Sequence, residues 1–112
     1  MKKLYATDFD KTFYISENDL ENNMELVSKF RDKGNIFLII TGRGAESFDV
    51  VKIISELENI SRDNVIVSGD GESDIDMIKY YNGYKMIDSV EDLRKINVKC
   101  VESVSSILEE LI

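Results

Sequence analysis

The chain contains no histidine. Imidazole is therefore excluded as a base, a phosphate carrier or a metal ligand, and acid–base chemistry near neutral pH falls mainly to carboxylates. A single cysteine, Cys100, excludes an internal disulfide and a multi-cysteine zinc site, which fits a reducing cytoplasm. Proline is also missing, against an average near ~5%, and nothing in the sequence gives a physical reason for it. No stretch approaches ~20 uninterrupted apolar residues, and the N-terminus has no signal-peptide hydrophobic region. A cytoplasmic protein without membrane association is the expectation. Basic residues are in the minority, 14 against 22 acidic ones, for a formal net charge of −8. Such a field repels nucleic acid and anionic membrane surfaces. A site for an anionic substrate would then need local positive charge, most simply a metal ion.

With 112 residues, 43% of them apolar, the chain can bury one core but not two, so residues 1–112 form a single domain. There are no repeats, low-complexity tracts or linkers; apolar runs alternate with amphipathic stretches throughout. Leu4 to Phe9 is a short β-rich run. Asp19 is placed to cap a helix over Leu20 to Lys33, with Leu20, Met24, Val27 and Phe30 on one face, and Gly34 stands where a C-terminal cap glycine belongs. Ile36 to Ile40 is a continuous apolar run, as in a strand covered on both faces. A helix over Ala45 to Glu58 would bury Phe48, Val51, Ile54 and Leu57. Asn64 to Ser68 is another buried strand, followed by a helix from Ser73 or Asp74 through Met77 and Tyr80 that stops near Gly83. Tyr84 to Ile87 and Val98 to Val101 read as short strands around a helical turn over Val90 to Lys95, and Ser103 to Leu111 as the last helix. Cys100 is expected to be a buried small hydrophobe, and Tyr80, Tyr81 and Tyr84 to sit at the core edge. This alternation implies an α/β fold, a parallel sheet with helices on both faces. Chemistry in such folds gathers at the C-terminal ends of the strands.

Three polar clusters fall at those ends: Asp8-Phe9-Asp10-Lys11-Thr12, Thr41-Gly42-Arg43 and Gly69-Asp70-Gly71-Glu72-Ser73-Asp74. Loop solvation would account for any one of them alone; three at the mouth of one sheet are harder to dismiss. Asp8 and Asp10 are two apart in an extended segment, so their side chains share a face. Carboxylates that close repel unless a cation or a shared proton relieves them. The pair suits a metal-assisted nucleophile and acid–base couple. Asp70 and Asp74 could hold a hard cation through oxygen, which suits Mg²⁺ rather than zinc, although Asp74 could also be a simple helix cap. Thr41 and the backbone N–H groups of Gly42 and Arg43 could donate to phosphate oxygens at a helix N-terminus.

Taken in order, DxDxT after the first strand, Thr-Gly-Arg after the second and GDxxxD after a later one resemble the motifs of the haloacid dehalogenase-like (HAD) hydrolase superfamily. The run from Asn64 to Met77 resembles its Cof-type phosphatase branch. The resemblance implies a three-layer Rossmann-like core and a Mg²⁺-dependent phosphatase acting on a phosphorylated small molecule or macromolecule. Asp8 would be the nucleophile and Asp10 the general acid/base. Asp8, Asp10, Asp70 and Asp74 would form the metal site, and Thr12, Thr41, Gly42 and Arg43 would bind the phosphoryl group.

The sequence departs from that pattern twice. The points where the family inserts a cap domain are unoccupied, and one core strand is also missing, so a sheet of about five strands in order 2-1-3-4-5 with no cap is expected. The open site suits a macromolecular substrate or shielding by a second copy in a homo-oligomer. The family's lysine, which pairs with the nucleophile, is also absent from its usual place near Glu46-Ser47. Lys52, later on the same helix, is the candidate replacement, but five residues are ~500° of rotation, which makes a solvated surface charge its plainer role. Lys11 and Arg43 are nearer substitutes. Two other readings stand beside the phosphatase. One is a non-catalytic HAD remnant acting as a binding or assembly module. The other is a receiver-like phospho-acceptor domain with Asp70 as acceptor, which is disfavoured because a receiver wants a lysine after the fifth strand and Lys99 lies inside it.

Overall fold

A computed structural model describes residues 2–9, 11–40 and 44–112. Five strands form one parallel sheet in the order β2-β1-β3-β4-β5. They are β1 (Leu4–Asp8), β2 (Ile36–Ile40), β3 (Val65–Gly69), β4 (Asn82–Met86) and β5 (Lys99–Val101). The helices between and after them are α1 (Glu17–Asp32), α2 (Gly44–Leu57), α3 (Ile75–Tyr80), α4 (Glu91–Arg94) and α5 (Val104–Leu111), with 3-10 turns at Arg62–Asn64 and Glu72–Asp74. The order expected from the sequence is the order observed.

Alternation along the central strands produces the layers. Leu4 and Ala6 of β1, with Val65 and Val67 of β3, point to one face, where they pack with Val51, Met77, Ile78 and Leu93 from α2, α3 and α4 and with Tyr81 just after α3. Tyr5 and Ile66 point to the other face, against Phe30 of α1 and Val104, Ile107 and Leu108 of α5. Side chains two apart share a face of a strand, so a run without polar interruption fills two cores at once. Eight residues separate β1 from α1 and three separate β2 from α2, so neither connection carries an inserted domain. Among the described residues, no helix is long and apolar enough to cross a membrane.

Several local expectations need correction. The cap of α1 is Ser16, whose Oγ accepts from the Asp19 N–H, so the helix begins three residues before the expected Leu20. Asp19 instead lies in the first turn, where its carboxylate accepts from Ser103 Oγ (2.7 Å) and Asn23 Nδ2 (3.2 Å) and ties α1 to α5. Gly34 does follow the helix end, in the left-handed region at φ 88°, with its N–H on the Arg31 carbonyl. Met24 and Leu57, placed in the core by periodicity, are 59% and 75% exposed. Each belongs to an apolar stripe wider than the surface its helix covers. Gly83 lies inside β4 rather than ending α3. Cys100 is exposed, because β5 is an edge strand with little packed outside it. Tyr81 and Tyr84 are buried at the core edge, whereas Tyr80 is partly exposed beneath the Arg62 guanidinium.

Phe30 tests this layering. It is fully buried, edge-on to Tyr5, and central to the α1/α5 face. Phe30→Ala should cost about 3–5 kcal/mol, read as a lower urea midpoint at unchanged m-value.

Candidate metal and catalytic site

Strand order determines which loops meet. With β1 beside β3 in the middle of the sheet, the residues leaving their C-terminal ends share one crevice. Asp8 closes β1, Asp70 follows β3, and Asp74 ends the 3-10 turn that leads into α3. One carboxylate oxygen from each lies within 4.8 Å of the other two. Thr12, fully buried, points its hydroxyl between two of them, 3.5 Å from Asp8 Oδ2 and 3.4 Å from Asp70 Oδ1. One hydroxyl proton serves only one acceptor at a time, so Thr12 spans the pair without neutralising it.

The backbone is shaped around these carboxylates. A Cβ on Gly69 would collide with the Asp74 carboxyl group, so only glycine lets β3 pass this close. The Gly71 N–H donates to Asp74 Oδ2 at 3.2 Å, and the Val90 N–H donates to the Asp70 carbonyl at 3.0 Å. After β1 the chain folds back on itself. The Phe13 N–H reaches the Asp8 carbonyl, the Tyr14 N–H reaches the Phe9 carbonyl, and Lys11 adopts φ 61°. A lysine in the left-handed region is uncommon, and such strain tends to collect at functional loops.

Two supports have no counterpart in the motifs. Tyr5 OH, Ser68 Oγ and Thr7 Oγ1 form a chain of hydroxyls at 2.7 and 2.6 Å, all fully buried, and Thr7 donates to the Asp8 carbonyl at 3.1 Å. Burial pushes the Tyr5 phenol well above its ordinary range, so the chain stays neutral. The second support is Asn23, fully buried on α1, whose Nδ2 donates to the Phe13 carbonyl at 2.9 Å while its Oδ1 accepts from Ser105 Oγ at 2.6 Å. The last helix thereby holds the loop after Asp8. The signal available in sequence was weak: polar residues inside otherwise apolar strands, and an asparagine seven residues before Phe30 on the buried face of α1.

Electrostatics follows from the crowding. Burial, then the hydrogen bond shared with Asp70 and the nearby Asp74 and Asp70 charges, pushes Asp8 up to about 7. Burial also raises Asp74, partly offset by the Gly71 N–H. The donor set is all oxygen and the chain has no histidine, which fits a hard cation such as Mg²⁺ and not a soft one.

Of the other sequence candidates, Asp10, Thr41, Gly42 and Arg43 lie outside the described residues. Lys52 is exposed on α2 and, among the described residues, forms no ion pair with the three carboxylates. Lys11, in the loop after β1, is exposed and likewise forms no ion pair among the described residues.

The fold has a solved counterpart. The crystal structure of yhjK, a haloacid dehalogenase-like hydrolase protein from Bacillus subtilis, superposes with a TM-score of 0.78 at 14% identity, over 98% of this chain and 88% of that one. The chain thus shares the Rossmann-like fold of that protein, with no cap inserted between its described elements. No protein-family model and no curated protein sequence matches it.

Two outcomes are expected. For the metal-free protein, Asp8 is raised above its unfolded value, so the folded state binds more protons and stability falls as pH rises from about 4 to about 7. Asp8→Asn should raise the thermal midpoint at pH 8 and leave it nearly unchanged at pH 4, as scanning calorimetry would show. Cations and protons compete for the same oxygens. Mg²⁺ should therefore bind more tightly from pH 5.5 to 7.5 in isothermal titration, and Asp70→Asn should weaken it at least ~tenfold, about 1.4 kcal/mol.

Proposed function

We propose that the chain is a Mg²⁺-dependent phosphohydrolase of the HAD superfamily, closest in its motifs to the Cof-type branch, that cleaves phosphomonoesters through an aspartyl-phosphate on Asp8. The observation that carries this reading is the convergence of Asp8, Asp70 and Asp74 at the mouth of the sheet, on a fold shared with a HAD-like hydrolase. Asp8, Asp70 and Asp74, with Asp10 beside them, would hold the cation. When bound, it offsets the charge of the carboxylates and of the incoming phosphate.

Asp8 attacks phosphorus, and the bond from phosphorus to the ester oxygen breaks. Asp10 gives its proton to the departing alkoxide, which leaves as the alcohol. Water then attacks the phosphorus of the aspartyl-phosphate, Asp10 takes a proton from it, and inorganic phosphate leaves as the Asp8 carboxylate is restored. Thr41 and the backbone of Gly42 and Arg43 hold the phosphoryl oxygens, whereas Thr12, expected from the motif to join them, is fully buried and instead positions the Asp8 and Asp70 carboxylates. Lys11, Arg43 or Lys52 supplies the remaining positive charge. The Thr7 hydroxyl and the Phe13 N–H, both on the Asp8 carbonyl, keep the nucleophile's backbone from shifting as its side chain changes partners. With no inserted cap, the site admits a phosphate on a large carrier as readily as a small one.

A second reading, a cation-binding module without turnover, draws on the exposure of Lys52 and its lack of an ion pair to Asp8. One experiment separates the two. Phosphate release from a panel of phosphomonoesters should require Mg²⁺ and fall by at least ~10³ in Asp8→Asn, the order expected when a residue of the reacting group is removed. Mg²⁺ binding by titration with no release from any ester would favour the module, and release unchanged in Asp8→Asn would sink the phosphatase.

A further inference from the structure

The two edges of the sheet are built differently. β5 is only three residues long and carries Lys99, both of which blunt an edge against further pairing. β2 is five residues, Ile-Phe-Leu-Ile-Ile, with no charge, proline, glycine or bulge. Ile36 donates to the carbonyl of Lys3, just before β1, so by alternation Leu38 and Ile40 also face β1. The N–H and C=O groups of Phe37 and Ile39 then point outward.

Both helical layers leave apolar surface beside that edge. On one face a groove of about 870 Å³ runs between α1 and β2, its apolar lining including Leu20, Met24, Val27, Phe37 and Ile39. On the other face, α2 packs Phe48 against Tyr80 at the end of α3 and Tyr81 just after it. Its opposite flank carries Val50, Ile53 and Leu57, 48%, 55% and 75% exposed. Together these exceed the scattered apolar residues that a monomer's surface ordinarily shows.

We infer that this edge is a homodimer interface, in which β2 pairs antiparallel with β2 of a second copy about a twofold axis through Leu38, making one ten-stranded sheet. The choice of a second copy rests on self-complementarity at three levels. In the strand, Phe37 and Ile39 are symmetric about Leu38, so each exchanges two backbone hydrogen bonds with the other's counterpart. On one face, α1 runs antiparallel to its copy and its free flank reads Glu17, Leu20, Met24, Ser28, Arg31. Met24 meets Met24, and each Glu17 meets an Arg31. Neither of those two charges has an ion-pair partner within its own chain among the described residues. On the other face, Ile53 meets Ile53 and Val50 meets Leu57. Every contact is isologous, which closes the assembly at two. Antiparallel pairing also places the two Asp8 clusters at opposite ends of the joint sheet, so this dimer does not shield the site.

The test is sedimentation velocity on the full chain over roughly 5–100 µM, a range that resolves Kd values near the micromolar. The wild type should sediment as a dimer. Ile39→Lys, which puts a charge on the pairing edge, should give a monomer with an unchanged circular dichroism spectrum. Glu17→Lys and Arg31→Glu, exposed changes that do not threaten the core, should each raise the dimer Kd about tenfold or more, and the double exchange should bring it back toward the wild-type value. A wild type that stays monomeric at ~100 µM, a dimer that tolerates Ile39→Lys, or a double exchange no tighter than the single variants overturns the inference.

Discussion

Three carboxylates held within a few ångströms, partly out of water, repel one another unless a proton or a cation sits among them. Asp8, Asp70 and Asp74 are in that position, and the rest of the molecule is arranged to keep them there. Placing β1 beside β3 brings the loops together. Gly69 gives up its side chain so that Asp74 can approach. Burial first, and the hydrogen bond to Asp70 and the neighbouring charges after it, push Asp8 up to about 7. A charged ligand is the other way to relieve the repulsion, and the all-oxygen set says which kind. The fold thus stores at one crevice an unfavourable interaction that its two hydrophobic cores can sustain.

How firmly the carboxylates are held depends on groups that do not touch the reacting atoms. The buried hydroxyl chain from Tyr5 through Ser68 to Thr7 ends on the Asp8 carbonyl. It joins β1 to β3 by side chains in addition to their backbone ladder, at the point where both strands deliver their acids. Asn23 does the equivalent for the loop beyond Asp8, linking the Phe13 carbonyl to Ser105 on α5. These polar groups are buried and fully partnered, so they rigidify without the penalty of an unsatisfied donor or acceptor.

The sheet order and the acidic trio were legible because each rests on a strong local signal. Strands covered on both faces read as unbroken apolar runs, and DxDxT with GDxxxD places acids where adjacent parallel strands end. Boundaries were less legible, since Ser16 and Asp19 are equally good caps on paper and only the packing of α5 against Asp19 decides between them. Burial failed at Met24, Leu57 and Cys100 for one shared reason. Periodicity reports which face of an element is apolar and says nothing about how much of that face a neighbour covers. The hydroxyl chain was hidden because its members are far apart in sequence and none is unusual alone.

The same misreading leads to the edge of the sheet. Met24 and Leu57 were placed in a core because their neighbours are apolar, yet both are exposed, Met24 in the groove beside β2 and Leu57 on the flank of α2 turned away from α3. Met24 and Leu57 lie on opposite helical layers next to an unguarded edge strand, whereas Cys100, the third misplaced residue, sits on the other edge, which is short and charged. A second copy through β2 would complete both layers without reaching the carboxylates, because antiparallel strands carry their C-terminal ends apart. Assembly and chemistry would then be separate properties of this fold. The site would stay open to its ligand in the dimer.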